Sequence, residues 1–265
     1  MSDVNQQETF RPAKMPVIQN INMSDIKASL KEGFADFRAA PLFGLFFGGI
    51  YTVGGLVILW LLTTVDQGWM IIPIAIAFPF IGPFVAVGLY EISRRRAANI
   101  PLQWGEILSV IIAQKERQFG LMAFAIMCIF WIWIFQIRLL LALFLGFQSF
   151  PSVFAFIKVL TTTPEGIGFL LVGSAIGAVL ALVLFCTTVI AIPLLLDRDI
   201  DVISAIITSF QSVLKNPVVM LGWGITVAIL AILALLPFFL GILIVFPILG
   251  HATWHLFEKT IEKAA

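Results

Sequence analysis

His251 and His255 are the only histidines in the chain, four residues apart, with Glu258 three further on. On a helix this spacing puts all three side chains on one face. Two imidazoles and a carboxylate are donor types of a zinc or transition-metal site. A stable zinc site usually wants four donors, so the donors beyond the two histidines would have to come from Glu258 or Glu91. A haem needs axial ligands on opposite ring faces, which one helix face does not supply. The other reading is a helix end at a membrane–water boundary, where histidine and Trp254 suit the change from wet to dry. The second reading is the expectation: the histidines pack or hydrogen-bond at an interface, with no metal and no cofactor.

Arg138, beside Gln136, is the only charge deep in an apolar run. An intramembrane charge is a functional candidate by default. At a rise of about 1.5 Å per residue, however, Arg138 lies about 28 Å along a helix from Phe119, at the far headgroup level, where its side chain can snorkel. It reads as a membrane anchor. Arg94, Arg95 and Arg96 form a run that pins topology and meets anionic lipid headgroups rather than nucleic acid. Cys128 and Cys186 fall inside apolar runs without metal-ligand spacing. No phosphate-binding loop, Ser/His/Asp set or zinc-protease motif is present. No Asp or Glu sits in the middle of an apolar run, which disfavours a carboxylate proton relay. The chain is therefore not expected to be an enzyme.

The elements that carry these residues follow from composition. Of the 265 residues, 60% are hydrophobic and 12% charged, and the mean hydropathy is +1.06. A soluble domain of this size could not hide so much apolar surface. A membrane helix needs roughly 20 apolar residues to cross about 30 Å of hydrocarbon. Six stretches qualify: Leu42–Val65, Trp69–Tyr90, Phe119–Ile137, Gly166–Leu196, Val218–Leu236 and Pro237–Phe257. Barrel strands would alternate polar and apolar residues; these runs are apolar on every face, so they read as helices. Leu139–Val159 reads as a helix extension plus an interfacial or re-entrant segment. With six spans, 14 of the 16 Lys and Arg fall on one side, which places both termini in the cytoplasm. Gly44, Gly48, Gly49, Gly54 and Gly55, and the Gly173–Gly177 pair, read as close helix packing. Pro73, Pro79, Pro83, Pro193, Pro237 and Pro247 are expected to kink or break spans.

Before the first, third and fifth spans, apolar residues recur at helical spacing over about 25–38, 102–114 and 201–214. Each stretch reads as an amphipathic interfacial helix. Asp25, Phe34 and Pro41 align without a gap with Asp201, Phe210 and Pro217. Phe78–Gly82 aligns with Phe246–Gly250, and Leu89–Glu91 with Leu256–Glu258. The expected fold is an all-α polytopic membrane protein. It has six transmembrane helices in three parallel pseudo-repeats, each an amphipathic helix plus a helix pair. Residues 1–23 are expected to be a disordered cytoplasmic segment. Residues 24–263 form one domain, with repeats at about 24–98, 99–199 and 200–263.

The stretch Ala205–Trp254 resembles a bacterial integral membrane family, the domain of unknown function 2189 family. The resemblance rests on Ala205–Phe210, Lys215–Gly224 and Phe246–Phe257, above all on Gly250-His251-Ala252-Thr253-Trp254-His255, and the overall span pattern fits across about residues 20–260. It implies an inner-membrane protein, mostly proteobacterial, without an established activity. The three-unit plan is also similar to mitochondrial carriers, but their Pro-x-acidic-x-x-basic signature is absent at Pro79, Pro193 and Pro247. The expected function is a non-enzymatic scaffold, assembly or lipid-associated component. Its partners would be membrane lipids and a membrane protein or a second copy, not nucleic acid. The alternative is a small-solute transporter or channel around a pseudo-threefold axis.

Overall fold

The computed structural model describes residues 15–64, 85–115, 118–146 and 153–263. Helices follow one another along the chain: α1 (Met23–Ala39), α2 (Pro41–Thr64), α3 (residues 85–97), α4 (Trp104–Lys115), α5 (Phe119–Leu145) and α6 (Val153–Thr162). Then come α7 (Pro164–Thr188), α8 (Ala191–Asp197), α9 (Val202–Lys215), α10 (Pro217–Leu235) and α11 (Ile242–Thr260). Among the described residues there is no strand, only an isolated antiparallel bridge between Ile18 and Ile261. The all-α class is as expected.

The three stretches read as interfacial helices are α1, α4 and α9. Local chemistry sets the ends of α1 and α9. Asn22 caps α1, accepting from Ser24 N at 2.8 Å, while the Asp25 carboxylate takes Asn22 N–H at 2.7 Å. Asp201 caps α9 by accepting from Ser204 N at 2.9 Å. Hydrogen bonds from Ser204 hold the Asp201 carboxyl below its ordinary value. Both helices end on the same backbone geometry, Ala40 at φ −133°, ψ 54° and Asn216 at φ −124°, ψ 54°. A proline follows each and opens the next helix, where its missing N–H costs nothing. Positions 26, 29, 33 and 36 of α1 are buried, and so are 202, 205, 209 and 212 of α9. Each pair differs by a constant 176.

Those buried faces are mostly small or polar, and the apolar stripes are split. Phe34 is 48% exposed, Ile203 67% and Leu214 75%. Small residues let the helices approach closely. A Cβ on Gly33 would sit 2.6 Å from Ala252 N and 2.8 Å from Ile248 O, so α1 lies almost on the α11 backbone. In the same way, a Cβ on Gly48 of α2 would meet Leu243 O of α11 at 2.5 Å. Pro247 cannot donate to that carbonyl. The Gly173–Gly177 pair behaves differently. Added Cβ atoms there would only touch Leu140 at 3.5 Å and Trp133 at 3.8 Å, so this motif does not mark a close backbone approach.

Six spans are not what the described residues show. Three helical segments are long and apolar enough to cross a membrane: Phe119–Leu145, Pro164–Asp197 and Pro217–Leu235. A fourth arises if α1 and the start of α2, bent by 103°, count as one. The expected Trp69–Tyr90 span and Pro73, Pro79 and Pro83 lie largely or wholly outside the described residues. The expected last span starts later, at Ile242, after a turn in which Phe238 and Phe239 take φ of 50° and 66°. Its second half carries His251, His255, Glu258 and Lys259, which makes it too polar to qualify. The third expected span runs on to Leu145, past Arg138, which is exposed. The fourth breaks between Thr188 and Ala191, because Pro193 has no N–H for the Val189 carbonyl.

Gly33→Val drives a branched side chain into the α11 backbone. It should cost about 1–3 kcal/mol, the range for overpacking, and lower the thermal midpoint in detergent. Gly177→Ala, at ordinary contact distance, should leave the midpoint unchanged.

Candidate functional site

The last turns of α1, α3 and α11 converge on one carboxylate. Arg96 Nε donates to Asp36 Oδ1 at 2.7 Å, and His255 Nε2 donates to Asp36 Oδ2 at 2.7 Å. The other His255 nitrogen, Nδ1, faces Glu258 Oε2 at 3.1 Å. Burial alone would lower the His255 pKa, but hydrogen bonds to Asp36 and Glu258 raise it to about 9, so His255 is an imidazolium at neutral pH and both ring nitrogens donate. Lys259 closes the ring by pairing with Glu32. Asp36 is buried, which alone would raise its carboxyl pKa, but hydrogen bonds from His255, Ser93 and Arg96 lower it to about 2.

His251 turns to a different partner. Its Nδ1 is 2.8 Å from Ser93 Oγ of α3, and its Nε2 is buried without a partner. The three candidate ligands therefore separate: His255 and Glu258 meet, while His251 belongs to Ser93. Among the described residues, no group of three or more His, Cys, Asp and Glu could hold a metal. Ser93 and His251 are both fully buried, so a substrate has no approach to a serine–histidine pair there.

The arginine run also faces inward in part. Glu91 is fully buried and accepts from Arg94 Nε at 2.7 Å, Arg94 Nη2 at 3.0 Å and Arg95 Nε at 2.6 Å. Arg95 reaches on to Glu106 of α4. A buried carboxylate needs such partners to offset its desolvation. The signal was present in sequence, since Glu91 stands three and four residues before Arg94 and Arg95, within helical pairing distance. Nothing in sequence pointed to Asp36 as the partner of Arg96. A cleft of about 370 Å³ opens beside this cluster, where the ends of α3, α8 and α11 meet, with Arg94, Arg198, Trp254 and Glu258 among its walls.

Residues 17–22 lock onto the same end, a departure from the expected disorder through residue 23. Gln19 N–H donates to Thr260 O at 2.7 Å and Glu262 N–H to Val17 O at 3.0 Å. Lys215 Nζ donates to Ile18 O at 2.6 Å. The Asn216 side chain donates to Gln19 O and accepts from Ile21 N, each at 3.0 Å.

The model of a family described as "Predicted integral membrane protein (DUF2189)" matches residues 71–197. The protein is a multi-pass integral membrane protein. The matched family is the one that Ala205–Trp254 resembles. The match, however, lies wholly before that stretch and leaves out Gly250–His255. No curated protein and no solved structure matches the chain.

Glu91→Gln weakens the pairing of two arginines at a buried site. It should destabilise the protein by about 3 kcal/mol, the low end for breaking a buried pair, because Arg95 keeps Glu106. Asp36 sets a pH dependence. A carboxylate held below its ordinary value stabilises the folded state fully above about 3.8, and that contribution is lost as pH falls towards about 2. Thermal unfolding should therefore show Asp36→Asn less stable than the unaltered protein at pH 7. The difference should shrink between pH 4 and pH 2, and a difference independent of pH would contradict the assignment.

Proposed function

We propose that this is a non-enzymatic scaffold, assembly or lipid-associated protein of a bacterial inner membrane, with both termini cytoplasmic and three pseudo-repeated units. The observation that carries the reading is the filled interior. Where α1, α8, α9, α10 and α11 meet, Trp223, Trp254, Met220, Leu194 and Leu256 are each less than 2% exposed. A solute path along that line would need space that these side chains occupy. The paired carboxylates beside them act as a lock.

Packing supports the three-unit plan. Each surface helix rests on the second helix of the unit before it. Helix α4 places Ile107 among Val85, Leu89 and Ile92 of α3 and pairs Glu106 with Arg95. Helix α9 crosses the α7–α8 break, where Ser209 Oγ accepts from Ile190 N at 3.2 Å. Helix α1 rests on α11, which closes the cycle. The matching buried positions and C-cap geometries of α1 and α9 agree with it, although Asp201 caps α9 whereas its aligned Asp25 sits inside the first turn of α1. Exposed Phe34, Ile203 and Leu214 suit the membrane interface or a partner helix.

The cleft at the ends of α3, α8 and α11 favours the second reading, transport around the axis of such a cycle. Native mass spectrometry from mild detergent separates the two. A stoichiometric membrane-protein partner, second copy or lipid supports the scaffold, whereas solute uptake by reconstituted vesicles would contradict it. Orientation is tested by cysteines introduced at Asn99, Gln211 and Thr161. An impermeant thiol reagent on intact cells should label only Thr161→Cys, and labelling at either other site would overturn the topology.

A further inference from the structure

A second cleft, of about 460 Å³, lies between the spans α5 and α7. Its volume is in the range of small-molecule sites. Gln136 and Ser174 line it from facing helices. Both amide atoms of Gln136 are covered and make no hydrogen bond, and Ser174 across from it is exposed. The two line one cavity without bonding to each other. Gln136 is about 26 Å along α5 from Phe119 and about 14 Å from Leu145, at a rise of about 1.5 Å per residue, and it lies two residues before the exposed Arg138, which α5 carries past the expected headgroup level. In hydrocarbon no water is at hand to satisfy such groups.

We propose that this cleft binds a neutral lipid whose head carries a hydrogen-bonding carbonyl, as a quinone does. The occupant comes from the bilayer, because Leu139, Leu143 and Leu171 are exposed beside the cleft, with Arg138 the one charged residue exposed next to them on α5. It is neutral, because no charged side chain lines the cleft. Trp133 and Phe169 offer flat walls for a ring, while Gly173 and Gly177 keep the floor low. A carbonyl placed between the helices accepts from the Ser174 hydroxyl. It also accepts from the Gln136 amide once that side chain turns about its torsions toward the cleft. This deepens the lipid-associated side of the proposed function and rests on α5 and α7 lying in the bilayer.

The test uses the full chain in vesicles of phosphatidylethanolamine and phosphatidylglycerol, titrated with decyl-benzoquinone, with tryptophan fluorescence as readout. Quenching should contain a saturable part that Trp133→Phe removes. Gln136→Leu should shift its midpoint at least ten-fold, and Gly177→Leu, which fills the cleft, should abolish it. Quenching that rises without saturation and alike in all variants would overturn the site. Disulfide-linked dimers of Gly177→Cys that form equally with and without quinone would also overturn it, by giving the cleft to a second copy. Brominated-chain phosphatidylglycerol separates the two levels. If it quenches the tryptophans of α5 while no saturable quinone component appears, only the site fails. If it does not quench them, the membrane placement of α5 itself fails.

Discussion

Asp36 is the constraint on which the rest of this structure depends. One buried carboxylate receives Arg96 from α3 and His255 from α11, while α1 carries it. Three helices far apart in sequence are thereby fixed at one end. The cost of burying a charge is large, so the carboxylate is tolerated only with both partners in place. Gly33, one turn before Asp36, makes the geometry possible. Without a side chain there, α1 approaches the α11 backbone closely enough for the Asp36–His255 bond to form.

The same end of the molecule gathers its other polar contacts around this point. Glu91 gathers Arg94 and Arg95 and passes the charge network on to α4 through Glu106. The extended residues 17–22 tie the C-terminus and the α9–α10 junction together. The spans beyond this end are held differently, by apolar contact and by close approaches such as Gly48 against Leu243. Polar bonds thus organise one end, and shape organises the rest.

Much of this was legible in sequence, for identifiable reasons. The stretches that form α1, α4 and α9 are legible from apolar residues at helical spacing, and prolines 41 and 217 mark where α1 and α9 stop and α2 and α10 begin. The inward faces of α1 and α9 were not readable. Apolar periodicity points to a stripe, but in a membrane protein the stripe can face outward while Ser29, Gly33, Ser209 and Ser212 face in. The sharing of one helix by His251, His255 and Glu258 was visible, and their separation onto Ser93 and Asp36 was not. That separation depends on which neighbouring helix each side chain meets, and sequence spacing carries no such information. In sequence the last span runs on to Phe257 because Ala252, Trp254, Leu256 and Phe257 continue the apolar run, whereas His255, Glu258 and Lys259 in the same half-helix are the residues that make the lock.

A double-mutant cycle between Asp36 and His255 tests this account most directly. Asp36→Asn, His255→Gln and the double variant would be unfolded thermally in detergent at pH 7. If the two groups hold α1 to α11 as the geometry requires, the single losses are not additive. The coupling should then be about 1–3 kcal/mol, as for residues in one buried network. Additive losses, with coupling near zero, would contradict the central role assigned to this carboxylate.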